Sequence, residues 1–321
     1  MNKAKLALTL STLSVLTTGW AVPLSGAAHS FVRVQRRIEK SDARIASPST
    51  LLPIRFREDR NAGLLVSGWI NDSGPFTFAI DTGAGVSIIT SRVVSTARLT
   101  VSKARRPLVG GLSTSPIAST EEARANRIAI GSSANEVPGK PALAVVANLP
   151  GGIDGILDPT DIFGSLSYSI DLPNLQLLAF DPKENGIDLT RPPRDGAIVK
   201  WIRSDGDRPF VRLSDGRLAL LDTGSSLGLA VNETTIGNGR NHSRQDVGDL
   251  GGGSVQTRNL GPTTVSIGAL VLRGVPTDML IGVPADTPTI LGRRALYPFK
   301  ITFDPSARLI VFEPTMRNSG R

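Results

Sequence analysis

Pro75-Phe76-Thr77-Phe78-Ala79-Ile80-Asp81-Thr82-Gly83-Ala84-Gly85-Val86-Ser87-Ile88-Ile89 is an apolar run that stops on an acid, passes through a hydroxyl and small residues, and becomes apolar again. The chain repeats this pattern at Arg217-Leu218-Ala219-Leu220-Leu221-Asp222-Thr223-Gly224-Ser225-Ser226-Leu227-Gly228-Leu229. One Asp-Thr-Gly alone reads as a solvated turn. Two copies, 141 positions apart and each following an apolar strand, read as the same unit used twice.

The neighbourhoods repeat as well. Upstream, Leu64–Ile70 and Phe76–Ile80 flank the turn Asn71-Asp72-Ser73-Gly74, and Phe210–Leu213 and Leu218–Leu221 flank Ser214-Asp215-Gly216. Downstream, Gly155-Ile156-Leu157-Asp158 answers Thr289-Ile290-Leu291-Gly292. Ser169–Pro182 then answers Lys300–Pro314, each an alternating run broken by Asp171-Leu172-Pro173 or Asp304-Pro305, which predicts a β-hairpin in each. Glycine clusters follow each acid at Gly110-Gly111 and Gly251-Gly252-Gly253. Short strands between frequent turns predict an all-β chain of two lobes, 51–185 and 195–316, separated by a charged, Gly- and Pro-bearing stretch.

Paired acids at the ends of apolar strands have a chemistry of their own. Two carboxyl groups about 3 Å apart cannot both ionise, so they share one proton. The ionised member can take a proton from a water, and the protonated member can polarise a carbonyl. That chemistry uses no cofactor, metal or covalent intermediate. The Thr82 and Thr223 hydroxyls can bond across the lobe junction. Gly83 and Gly224 permit a tight turn and can aim their N–H groups at the carboxyls.

Composition excludes competing chemistries. The chain has 321 residues and no cysteine, which removes disulfides, thiolate metal sites and cysteine nucleophiles. It has two histidines, His29 and His242. His242 lies in the turn-rich Gly237-Asn238-Gly239-Arg240-Asn241-His242-Ser243-Arg244, where a triad base would not be held in place. The net charge is +8, but the basic residues are scattered without interleaved aromatics, so no nucleic-acid partner is expected. Residues 1–28 read as a signal peptide: Lys3 and Lys5, an apolar run Leu6–Trp20, then small residues to Ala28. Residues 29–50 read as a linker or pro-segment. A periplasmic or secreted protein is expected, with membrane association only if the first segment stays uncleaved.

Over roughly residues 51–314 the chain resembles the aspartic peptidase superfamily. Gly74–Ala84 is similar to the retropepsin-like signature and Leu220–Ser226 to the pepsin-like one. The resemblance implies the acid-protease fold, with two homologous β-barrel-like lobes and an active-site cleft between them. It implies Asp81 and Asp222 as the catalytic pair, supported by Thr82, Gly83, Thr223, Gly224 and Ser225. Gly110, Gly111, Gly251, Gly252 and Gly253 become candidate flap glycines over an extended polypeptide substrate. One chain carries both half-sites, so activity as a monomer is expected.

Two departures stand out. Asp158 occupies a position where the resemblance expects glycine after two apolar residues, so either a shifted alignment uses Gly155 or that lobe packs differently under its active loop. Ala84 and Ser225 differ at equivalent positions, and the Ser225 hydroxyl is expected to donate to Asp222 and favour its ionisation. A catalytically inactive binding module of the cell envelope with the same fold is the alternative reading, and an envelope protein acting through its basic surface a third.

Overall fold

The computed structural model describes residues 51–112, 117–184, 188, 190–203, 207–233, 244–248 and 253–315. The expected signal and linker segments, Gly251, Gly252, His29 and His242 lie outside these residues. The described chain is strand-rich, with three sheets of six, nine and eight strands.

Two of the sheets are copies of one topology. In the first half, Arg57–Asp59, Gly63–Ile70, Ser73–Ile80, Gly155–Leu157, Ile88–Thr90, Ala142–Val146, Ile117–Arg124 and Val101–Gly110 lie side by side in that order. In the second half the order is Ile202–Arg203, Pro209–Arg212, Leu218–Asp222, Thr289–Gly292, Leu229–Asn232, Leu270–Ile281, Ser254–Ile267 and Arg244–Gly248. The two paths correspond strand for strand, so the duplication seen in the sequence is a duplication of topology. The first half adds Ile128–Ile130, which pairs with Gly63–Ile70.

Local chemistry sets the hairpins. Asn71 and Asp72 have φ of 46° and 66°, the left-handed pair of a two-residue turn joining Gly63–Ile70 to Ser73–Ile80. The expected four-residue turn is thus tighter than its polar composition suggests. Phe76, Phe78 and Ile80 alternate inward on the second strand. Gly68 makes room for them: a Cβ there would lie 2.5 Å from Phe78 Cδ2.

The remaining hairpins also share their turn chemistry. The Asp171 carboxylate accepts from Asn174 N at 3.0 Å, and the Asp304 carboxylate accepts from Ala307 N at 2.8 Å. Leu175 and Arg308 then take positive φ of 54° and 55°. These hairpins do not stay within separate lobes. Ser167–Asp171 pairs antiparallel with Phe299–Asp304, giving one six-stranded sheet ordered Ile54–Arg55, Gln176–Phe180, Ser167–Asp171, Phe299–Asp304, Leu309–Pro314, Ala197–Lys200. Its order is palindromic with respect to the two halves. Tyr168 stacks on Phe303 with ring centroids 4.9 Å apart, and Trp201 meets Phe303 edge-on at 6.0 Å.

The lobes expected to be barrel-like contain no closed barrel among the described residues. Each duplicated sheet is an open path whose last hairpin runs on to the wall of a cavity instead of pairing back to the first strand.

Phe303 is fully buried at the seam between the halves. Phe303→Ala is expected to lower stability by about 3–5 kcal/mol, the cost of an unfilled aromatic site. Val271→Thr, on an exposed position of the second-half sheet, should change it by less than about 0.5 kcal/mol. Urea unfolding midpoints measure both.

Candidate active site

The sequence around each acid folds into the same device. Ser73–Ile80 runs parallel to Gly155–Leu157, and Leu218–Asp222 runs parallel to Thr289–Gly292. Each acid leaves the end of its strand beside the matching apolar pair. Asp81 N donates to Leu157 O at 3.1 Å, and Asp222 sits opposite Gly292.

The two loops are joined at their threonines, both fully buried. Thr82 N donates to Thr223 Oγ1 and Thr223 N donates to Thr82 Oγ1, each at 3.1 Å. The Thr82 hydroxyl donates to Leu221 O at 2.7 Å, and the Thr223 hydroxyl to Ile80 O at 3.2 Å. Each hydroxyl therefore accepts an amide proton from the other half and gives its own proton to a carbonyl of the other half. Losing either would strand buried polar groups at a cost of about 1–3 kcal/mol each.

This exchange brings the carboxyl groups together. A Cβ at Gly83 would lie 2.6 Å from Asp222 Cγ, and one at Gly224 would lie 2.4 Å from Asp81 Oδ2. Each glycine is thus packed against the acid of the other half, and no larger residue fits. Gly83 N and Gly224 N both donate to Asp81 Oδ1, at 2.8 and 3.2 Å. Ser225 N donates to Asp222 Oδ1 at 2.9 Å. The acids share a side-chain hydrogen bond, and burial raises both above the ordinary carboxylate range. Besides burial, Asp81 feels the Asp222 charge and, more weakly, that of Asp158. Burial of Asp222 is opposed by the Ser225 amide, by Asp81, by the Gly224 amide and by the nearby Arg293 charge.

The Ser225 hydroxyl does not act as expected. It accepts from Leu227 N at 3.2 Å, and the donor to Asp222 is the Ser225 backbone N–H. The loop turns its amide towards the carboxyl and uses the hydroxyl to close its own turn.

Behind the acids the two halves differ. Leu157 pairs with Ile80 as Leu291 pairs with Leu221, and Asp158 follows Leu157 where Gly292 follows Leu291, although the paired register itself ends at Leu157. Asp158 is 1% exposed. Its carboxyl accepts from Thr160 N at 2.8 Å and from the Gly85 amide, and its own N–H donates to Ser87 Oγ. Asp161 accepts from Ser87 N at 3.0 Å. Two acids therefore anchor the loop after Asp81. The loop after Asp222 is anchored by a cation: buried Arg293 donates to Thr223 O and Gly224 O, both at 2.9 Å, and pairs with Glu58 at 3.3 Å. Sequence reasoning flagged Asp158 but missed Ser87, Asp161 and Arg293. The only signal for Arg293 was its place directly after Ile290-Leu291-Gly292.

The acids open into a cavity of about 560 Å³. Gly110, Gly111 and Leu112 line it from the hairpin of Val101–Gly110 and Ile117–Arg124. Gln245, Asp246, Val247, Gly248, Val255 and Thr257 line it from the corresponding second-half hairpin. Gly253 precedes Ser254–Ile267 and is not among the lining residues. Leu220, Leu227, Leu280 and Ile290 supply apolar wall, and Arg60, Arg208 and Arg294 basic side chains, none anticipated from the sequence. Among the described residues no group of three or more acidic or histidine side chains could hold a metal ion.

An aspartyl protease family model matches residues 66–157, which hold Asp81, the Val101–Gly110 hairpin and the Gly155–Leu157 strand. Basic 7S globulin from soybean has a similar fold, with a TM-score of 0.51 at 11% identity over 84% of this chain and 96% of that one. A search of curated proteins found no match. Residues 66–157 are thus similar to aspartyl proteases, and the described chain shares its fold with that globulin.

Burial, then the charge of Asp161, push Asp158 from 3.8 up to about 8. The folded protein holds a proton that the unfolded chain releases above about 4. Its contribution is intact below that pH and is lost as pH rises towards 8. Asp158→Asn should therefore match the parent in thermal midpoint at pH 4 and exceed it at pH 9. A constant difference across that range would contradict the buried-proton account.

Proposed function

We propose that this chain is an aspartic endopeptidase that hydrolyses peptide bonds in extended polypeptides, with Asp81 and Asp222 as its catalytic pair. The observation that carries the reading is the meeting of two carboxyl groups from duplicate halves, Asp81 buried and Asp222 half-buried, in one cavity flanked by two hairpins.

In this reading the pair holds one proton. Asp81 carries it, because burial and neighbouring acids disfavour its charge, while Asp222 is eased towards ionisation by amides and by Arg293. Both amides that reach Asp81 go to Oδ1, leaving Oδ2 for the proton. Asp222 takes a proton from a water held between the carboxyls, and that water attacks the peptide carbonyl. Asp81 donates to the carbonyl oxygen as negative charge develops there. Collapse of the tetrahedral species returns a proton to the departing amine, with no covalent intermediate. The threonine exchange keeps the carboxyls in register through the cycle, which matters because small misplacements of reacting groups cost large factors in rate.

The hairpins suit an extended substrate. Residues of both hairpins border the cavity, so a strand-like peptide can lie between them above the acids. Action outside the cytoplasm, on the pattern of residues 1–28, and activity as a monomer belong to the same proposal.

Cleavage of an unfolded protein by the purified chain tests the reading. Asp81→Asn and Asp222→Asn should each reduce kcat/KM by roughly 100-fold or more, the usual contribution of one acid–base group. Activity should fall as rising pH removes the Asp81 proton. Binding of polypeptide without cleavage at any pH would favour the inactive binding module instead.

A further inference from the structure

A second cavity of about 610 Å³ lies beside the first, and Arg60, Ser226 and Arg294 line both. Its other charged residues are Glu58 and Arg293, which neutralise each other at 3.3 Å. Arg293 is also committed to the carbonyls of Thr223, Gly224, Asp59 and Arg60. Arg60 and Arg294 remain, and neither side chain has a hydrogen bond or ion pair among the described residues. The side cavity therefore presents two uncommitted guanidinium groups next to the hydroxyl-bearing Ser226.

The two arginines are held on segments tied together. The Asp59 carboxylate accepts from Asn61 N at 2.9 Å and Ala62 N at 2.8 Å, which fixes the turn that carries Arg60. Arg293 Nη2 donates to Arg60 O at 3.3 Å, and Arg294 is the next residue in the short helix Arg293–Leu296. Arg294 N is in turn held by Leu227 O at 3.2 Å, in the loop that follows Asp222. A first-half turn and a second-half helix thus bring one cation each to the edge of the cleft on the Asp222 side. The other acids of the cleft outside the catalytic pair, Asp246 and Asp278, do not line the side cavity.

We infer that Arg60 and Arg294 form a subsite for an acidic side chain of the substrate polypeptide, so that the cleft selects chains bearing Glu or Asp at one position near the scissile bond. The inference rests on the peptidase reading for the word substrate, but the recognition itself requires only that a polypeptide occupy the cleft. Guanidinium and carboxylate make charge-assisted, planar hydrogen bonds, which select an acid over its amide. The side cavity offers depth for a side chain while the main chain stays over the acids.

The test uses the full chain carrying Asp81→Asn and fluorescein-labelled extended peptides that differ only by Glu or Gln at each position in turn. Fluorescence anisotropy at low salt is expected to give about tenfold tighter binding for Glu at one position. Arg60→Gln and Arg294→Gln together should bring the two peptides to parity. Arg273→Gln, an exposed arginine that lines neither cavity, should leave the preference intact. Circular dichroism confirms that each variant is folded. Equal binding of Glu and Gln peptides at every position would overturn the inference, as would an equal loss in Arg273→Gln, which would mark general charge attraction. Absence of any peptide binding would overturn both the subsite and the peptidase reading. A Glu preference in a chain that never cleaves would support the subsite while the peptidase reading fails.

Discussion

The reciprocal exchange between Thr82 and Thr223 is the constraint on which the rest of the molecule depends. Four hydrogen bonds cross between the halves there, none reached by solvent, and every donor and acceptor belongs to the residue after an acid or the residue before one. Breaking one leaves buried polar groups without partners, so the arrangement holds as a whole. With the threonines locked, the carboxyls have little choice but to meet, and glycine is required at 83 and 224 because each is pressed against the opposite acid. The shared sheet makes the same junction at larger scale: Ser167–Asp171 against Phe299–Asp304 removes two edges and fixes the halves by backbone pairing and by the Tyr168–Phe303 stack.

A duplicated scaffold would give two equivalent acids, and equivalent acids have no reason to divide their roles. The asymmetry comes from what lies behind each loop. Asp158 and Asp161 hold the first loop through its amides, and Arg293 holds the second through its carbonyls. Carboxyl acceptors on one side and a cation on the other thus perform the same mechanical task on opposite ends of the peptide dipole. The surroundings of the acids therefore differ: the charge of Asp158 adds to the raising of Asp81, whereas that of Arg293 opposes the raising of Asp222. The residue that departs from the glycine pattern, Asp158, is one of the groups that makes the halves unequal.

Much of this was legible in the chain itself. Alternation and turn residues marked the hairpins, and recurrence of Asp-Thr-Gly with its Ile-Leu partner marked both duplication and acids. The pairing of Ser167–Asp171 with Phe299–Asp304 was not legible, because nothing local in either strand names a partner more than a hundred positions away. Arg293 was passed over because arginine usually stays at the surface, and only the fold reveals the carbonyls that satisfy it. Ser225 was identified as a donor to Asp222, but residue type cannot say whether hydroxyl or amide reaches the acid. Arg60 and Arg294 come from distant segments and become neighbours only through Arg293.

The central claim is that two carboxyl groups share one proton. Carbon-13 NMR of protein labelled at the aspartate carboxyl carbons, titrated across pH and assigned with Asp81→Asn and Asp222→Asn, measures this most directly. The account predicts two well-separated titration steps belonging jointly to Asp81 and Asp222, collapsing to a single step when either is replaced. Independent titration of both carboxyls near the ordinary aspartate value would contradict it.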